Sequence, residues 1–306
     1  MTGGAGFIGS NIVDAYLAAG HEVFVLDDLS SGSLDNLSQK AKFFQMDIRD
    51  PKVEKIFVEN KFDVMNHLAA QMDVRKSVAD PVFDSTVNVT GTLNLLENCR
   101  KHGVKKVIFS STGGAIYGEQ DYFPADENHP TRPLSPYGIA KLAVEKYLFF
   151  YNAVHTMGYV VLRYANVYGP RQNPHGEAGV VAIFSSKLLN GEEPVINGDG
   201  RQTRDYTFVG DVVSANVLAL DYPKSDIFNI GTGRETDVNA LYTKLRNAVG
   251  SSAPEKHGPA KAGEQLRSVI DYSKARKIVG WEPRVGLDEG IKLTVDFFRR
   301  KIKGDA

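Results

Sequence analysis

The stretch MTGGAGFIGS, residues 1–10, sets Gly3, Gly6 and Gly9 three apart and runs straight into the apolar-periodic SNIVDAYLAAG (10–20). Glycines at this spacing let the backbone turn sharply and let a ligand come close to it. A helix starting behind them aims its free N–H groups and its dipole at the loop. The frame alone is weak, because a tight turn before a helix fits it equally well. The following strand tips the balance. HEVFVLD (21–27) is apolar and β-branched, and it ends in Asp27. That is about twenty residues past the loop, where a dinucleotide-binding fold needs a carboxylate for the adenine-side ribose. An acid there repels a 2′-phosphate, and LDDLSSGS (26–33) offers no arginine to hold one, so NAD is favoured over NADP.

Working outward, strand and helix alternate. AKFFQMD (41–47), DVMNHLAA (63–70), KKVIFSST (105–112) and YVVLRYANVYG (159–169) read as strands. DPKVEKIFVEN (50–60), DPVFDSTVNVTGTLNLLENCRKHG (80–103) and SPYGIAKLAVEKYLFFYNAVHTMG (135–158) read as helices. Near-continuous apolar strands between amphipathic helices predict a parallel sheet covered on both faces. The fold class is α/β: a Rossmann-type doubly wound sheet with a smaller α/β lobe. Residues 1–165 form the dinucleotide domain, with 204–222 returning to it, and 166–203 with 223–306 form the interleaved lobe.

The bulk numbers exclude several classes. A net charge of −1 over 306 residues gives no electrostatic case for nucleic acid or anionic membrane. No apolar run approaches the ~20 residues that span a bilayer. The single cysteine, Cys99, has no internal disulfide partner, which suits a reducing cytoplasm, and it reads as a small core residue. The histidines are scattered without metal-ligand spacing, so no metal is expected; His175 reads as a solvated loop residue.

SPYGIAK places Tyr137 and Lys141 four apart at the start of a helix, adjacent on one face. A tyrosine near its ordinary pKa of about 10 is a poor base at neutral pH. A nearby ammonium favours the phenolate, which can then take a proton from a substrate hydroxyl. A bare Tyr-x-x-x-Lys is common, and the order of parts gives it meaning. Ser110, Ser111 and Thr112 end the preceding strand, where open α/β sheets place their ligands.

Taken together, TGGAGFIGS, Asp27, HLAA (67–70), NVTGT (88–92), FSSTGGAIYG, SPYGIAK, LRYANVYGPR and RDYTFV resemble the extended short-chain dehydrogenase/reductases. Within them the chain is similar to the NAD-dependent epimerase/dehydratase family over essentially its whole length. It is most similar to the group that interconverts UDP-glucose and UDP-galactose. The resemblance implies a tightly held, recycled NAD on Gly3, Gly6, Phe7, Ile8 and Gly9, with Asp27 on the adenine ribose. Asp47 and Ile48 would flank the adenine, although a turn acid fits Asp47 equally. Leu68, Ala69, Ala70, Asn88, Ser110 and Ser111 would line the cofactor. Tyr137 would be the acid/base and Lys141 its partner on the nicotinamide ribose. Thr112, with Ser111 as the alternative, would bond the reacting hydroxyl. Asn166 and Arg204 would contact the nucleotide-sugar diphosphate; their bland alternatives are a turn residue and a local pair with Asp205. Lys261 stands where the family often has arginine, and it lacks the planar fork, so Arg267 is the other candidate for that grip. Ser268 falls at a position that sets room at the sugar's carbon 2, where its small size implies that N-acetyl sugars also fit; a strand serine with no role in selectivity fits it equally.

The activity implied is 4-epimerisation of a UDP-hexose through a 4-keto sugar. The dehydratases and decarboxylases on this scaffold carry an acid just after the strand-end hydroxyl, whereas this chain has Gly113-Gly114-Ala115. A non-catalytic NAD sensor is the rival of a different class, and such proteins tend to lose the tyrosine or lysine that this chain retains. The family pairs the helices 80–103 and 135–158 into a homodimer. Relatives also carry an apolar strand ahead of the loop. The first strand is therefore expected to be truncated, with ladder groups unpaired beside it and extra residues in the intact protein.

Overall fold

The structure is a computed structural model that describes residues 1–174, 179–260 and 265–304. Two compact units divide the chain. The first takes residues 1–118, 131–163 and 213–228, and the second takes 119–130, 164–212 and 229–306. Relative to the division drawn from sequence, 119–130, 164–165 and 204–212 fall with the second unit and 223–228 with the first.

In the first unit, α1 (Phe7–Ala18) leads to β1 (Phe24–Asp27), β2 (Lys42–Gln45), α2 (Val53–Glu59) and β3 (Val64–His67). Next come α3 (Val74–Ala79), α4 (Pro81–Ser85), a π-helical turn (Thr86–Gly91) and α5 (Thr92–Lys101). Then follow β4 (Lys106–Thr112), α6 (Pro136–His155) and β5 (Gly158–Tyr164). The local chemistry sets these limits. Ser135 caps α6 by accepting from the Gly138 N–H, with Pro136 at the first helical position. Asp73 and Asp80 cap α3 and α4 in the same way. The predicted helix over 80–103 is thus continuous in path and wound wider at its middle.

The strands are parallel, with Phe24 opposite Lys42 and Val64 opposite Lys106. β5 and the strand Asp226–Ile230 extend the sheet beyond β4. Between β1 and β3 lies Thr2, bridging Leu26 on one side and His67 on the other. Its N–H donates to the Asn66 carbonyl at 3.0 Å, and the Leu26 N–H donates to the Met1 carbonyl at 2.8 Å. The order β2–β1–Thr2–β3–β4–β5 is doubly wound. The gap expected at the centre is closed at this level by Thr2 itself. The Met1 ammonium donates to the Phe24 carbonyl, and burial lowers its pKa to about 6.

Apolar layers cover both faces of the sheet. Ile12, Val13, Tyr16 and Val25 pack with Val213, Val217 and Leu220 on one side. Phe57, Leu95, Leu96, Phe109, Val144 and Leu148 pack on the other. Each such side chain contributes about 1.5–3 kcal/mol when fully buried. No helix among the described residues is long and apolar enough to cross a membrane.

In the second unit the helices Val180–Leu189, Val238–Val249 and Leu287–Lys303 pack on one another. A small sheet pairs Thr203–Arg204 with Thr236–Asp237 and Arg267–Ser268, and Asn166–Tyr168 runs parallel to Tyr206–Phe208.

Candidate active site

The glycine loop is shaped by contacts that side chains would block. A Cβ on Gly3, whose φ is +67°, would lie 2.6 Å from the Ala69 nitrogen, so the loop rests directly on residues 68–69. A Cβ on Gly9 would collide with the Gly3 carbonyl. Gly6 differs: its Cβ would meet only the Gly3 oxygen, at 3.3 Å, and otherwise open space. Gly6 is also the N-cap of α1, and no side chain caps that end. A helix N-terminus left uncapped beside a cradle that a methyl group would fill fits a pyrophosphate.

Asp27 is buried, and both of its oxygens accept from backbone, Oδ2 from the Ala5 N–H and Oδ1 from the Leu29 N–H, each at 2.9 Å. Burial raises its pKa against those bonds. The Ala5 carbonyl in turn accepts from the Ser33 N–H and Asn36 Nδ2. The strand-end acid therefore also braces the loop. Asp47 forms an exposed bidentate pair with Arg49, which holds its carboxyl low, and the Ile48 side chain is buried against Gly91. Asn88 is buried and clamps the backbone of Gln71, accepting from its N–H and donating to its carbonyl, both at 2.8 Å. Leu68 and Ala69 bond Thr2, and Ala70 follows half-buried.

The strand-end hydroxyls separate by strand alternation. Ser111 Oγ donates to Glu145 Oε1 at 2.6 Å. Thr112 Oγ1 accepts from the Ala115 N–H at 3.1 Å, which leaves its own proton to give. Lys141 Nζ donates to the Ser110 carbonyl at 2.9 Å and sits 5.8 Å from the centre of the Tyr137 ring. Burial lowers the Lys141 pKa to about 8, against the charges of Asp84 and Glu145. Burial, then the Asp84 charge, raise that of Tyr137. The chain alone thus disfavours the tyrosinate that the spacing suggests, because burial and the Asp84 charge both favour the neutral phenol.

Several groups had no place in the sequence reading. Asp84 is buried; Oδ1 accepts from Gln71 Nε2 and Asn88 Nδ2, while Oδ2 has no hydrogen-bond partner among the described residues. His67 lies between two threonine hydroxyls, Thr2 Oγ1 at 2.6 Å and Thr92 Oγ1 at 2.8 Å, and burial lowers its pKa to about 3. Glu145 pairs with Arg163 in the core. Only Glu145 carried a legible signal, since it extends the Tyr-x-x-x-Lys spacing by one more turn.

In the second unit Arg204 and Ser268 are opposite each other in the small sheet. Arg204 Nη1 donates to the Thr203 carbonyl, and Ser268 is buried. Asn166 donates its N–H to the Asp205 carbonyl and exposes its side chain. The Asp205 carboxylate accepts from Thr232 and Gly233, and burial raises its pKa to about 6. Arg267 forms a bidentate pair with Glu235 and lies 3.8 Å over the Phe123 ring. Lys261 and His175 lie outside the described residues.

A doubly wound sheet, a glycine loop braced by a strand-end carboxylate and a buried Tyr-x-x-x-Lys pair at a strand's C-terminal end define a nicotinamide-dinucleotide protein of the extended short-chain dehydrogenase/reductase type. A model of the NAD dependent epimerase/dehydratase family matches residues 1–231, and the chain belongs to that family. It is 46% identical to a putative UDP-glucose 4-epimerase of Methanocaldococcus jannaschii, over 98% of this chain and 97% of that one. It superimposes on a UDP-glucose 4-epimerase of Thermotoga maritima solved with UDP-glucose, at a TM-score of 0.97 and 50% identity over 98% of both chains. A Thermus thermophilus UDP-glucose 4-epimerase complexed with NAD gives 0.93 at 47% identity, over 97% of both chains.

Proposed function

We propose that this chain is an isomerase that interconverts UDP-glucose and UDP-galactose by NAD-dependent epimerisation at carbon 4. The observation that carries the reading is Lys141 fixed to the Ser110 carbonyl beside Tyr137, at the end of the strand that also bears Thr112. The loop Gly3–Gly9 with Asp27 would hold the cofactor, with Leu68, Ala69 and Ala70 beside it. When bound, NAD would supply a reversible hydride acceptor for carbon 4 of the sugar. Tyr137, ionised beforehand beside Lys141 in the loaded enzyme, takes the proton of the 4-hydroxyl and gives it back. Thr112 keeps a free hydroxyl proton to orient that oxygen, while Ser111 is committed to Glu145. Lys141 holds positive charge beside the phenol as it ionises. Asn166 and Arg204, with Lys261 or Arg267, are assigned to the nucleotide diphosphate. Elimination of water is disfavoured because residues 113–115 supply no carboxylate.

The test is incubation with UDP-galactose without added NAD, followed by product analysis. UDP-glucose should form on recycled, co-purified cofactor. No conversion even with NAD supplied would overturn the reading and favour the sensor.

Ser268, small and buried beside Arg204, supports acceptance of the N-acetylhexosamine pair as well. A kcat/KM ratio above ~10³ for the plain sugars, roughly 4 kcal/mol of discrimination, would reject it. The exposed apolar side chains of α6, Ile139, Tyr147, Phe150 and Val154, with Val82 on the 80–103 stretch, support a homodimer through the helices 80–103 and 135–158. The buried thiol of Cys99, its pKa pushed up by burial, is compatible with the cytoplasm.

A further inference from the structure

We infer that the buried Glu145–Arg163 pair is a positioning device for the proton-transfer groups, bracing from both ends the turn that carries Thr112. The inference rests on the epimerase reading and goes beyond it.

α6 presents Tyr137, Lys141 and Glu145 at successive fours, so they share one face. Lys141 grips the Ser110 carbonyl and Glu145 grips the Ser111 hydroxyl. Consecutive residues of β4 are thus held by consecutive turns of one helix, just ahead of Thr112. The far end of the turn is held too. Arg163, on β5, donates through Nε and Nη2 to the two Glu145 oxygens, at 3.0 and 2.6 Å. Its third arm, Nη1, donates to the Tyr117 hydroxyl at 2.9 Å. Residues 112–117 are pinned at Ser111 by the carboxylate and at Tyr117 by the guanidinium. The two side chains are 2% and 5% exposed. A buried ion pair gains little stability over apolar residues of similar volume. What it supplies here is directional geometry, through a planar fork that a lysine cannot copy.

The pair also balances charge. Tyr137 is faced by Asp84 of α4 and by Lys141. Lys141 is faced by Asp84, by Glu145 and by the neutral His67 of β3. Arg163 is faced by Glu145 and Tyr117. Removing one charge of the pair therefore exposes the other to the Tyr137–Lys141 couple.

The test uses Ser111→Ala and Tyr117→Phe, each of which deletes a bond of the brace and strands no charge. Wild-type epimerisation, lost in Tyr137→Phe, first establishes the reading on which the inference rests; its absence would reject that reading and leave the brace to hydrogen exchange. Both single-bond variants should lower kcat by about 10-fold, an estimate for misplaced catalytic groups, with KM for UDP-galactose unchanged. Amide exchange over residues 113–117 should quicken. Glu145→Gln should move the acid limb of the kcat profile to lower pH and Arg163→Gln to higher pH, while Arg163→Lys should lower kcat with the limb in place. A kcat within about twofold of wild type in both single-bond variants, with unchanged exchange, would overturn the proposal. So would opposite charge variants that leave the limb where it was. If the charge variants do not fold, Ser111→Ala and Tyr117→Phe decide alone.

Discussion

At the scale of the residue, the candidate site is a contest between burial and charge around Tyr137. Burial and Asp84 raise its pKa, so the hydroxyl is protonated in the chain by itself. Tyr137→Phe should cut kcat by about 10²–10⁴-fold, as loss of a general acid–base group does, while leaving bound NAD in place by absorbance after denaturation. Asp84→Asn removes a buried negative charge and should shift the acid limb of kcat to lower pH in stopped-time product assays. His67 gives a separate prediction about stability. Its folded pKa, about 3, lies below the ordinary 6.5, so the unfolded chain binds the extra proton. Its neutral form therefore supports the fold fully above 6.5, and that support is lost as pH falls toward 3. Wild type should lose about 2 kcal/mol more than His67→Gln between pH 7.5 and 5 in urea unfolding.

At the scale of the element, the glycine loop separates folding from binding. Gly9→Ala places a methyl group on the Gly3 carbonyl, so thermal unfolding should fall markedly. Gly6→Ala meets one oxygen at 3.3 Å, so its melting temperature should hold while NAD affinity drops about 10-fold or more, as titration of the stripped protein would show. The sequence displayed these elements because their cues are local: a Ser-Pro start to α6, an acid at the end of β1, apolar strands of the right length. Asp84 and Arg163 were invisible because nothing local marks a carboxylate that another helix will bury, or an arginine inside the strand Gly158–Tyr164. The π-helical turn at Thr86–Gly91 was equally hidden. NVTGT reads as ordinary helix, and the widening appears only once Asn88 clamps Gln71, Thr92 bonds His67 and Gly91 admits Ile48.

At the scale of the whole molecule, the apolar stripe on α6 predicts assembly. Phe150→Glu should convert a two-copy species to a single copy by light scattering, since a buried unpaired carboxylate costs several kcal/mol. A wild type that runs as one copy at micromolar concentration would remove the homodimer from the proposal. One internal feature also ties distant parts of the chain together. Thr92 Oγ1 gives its proton to the Asn88 carbonyl at 2.7 Å, so it must accept from His67 Nε2. His67 then carries its proton on Nε2, and Nδ1 receives that of Thr2, whose oxygen takes the Ala69 N–H at 3.3 Å. The five groups form a one-way relay of donors from residue 69 through the sheet's centre to residue 88, and no member can reverse alone. In a nitrogen-15 spectrum this fixes a single imidazole tautomer. Its ring N–H, shut away from water, should exchange only when the whole sheet opens, so one resonance would report the intactness of the entire core.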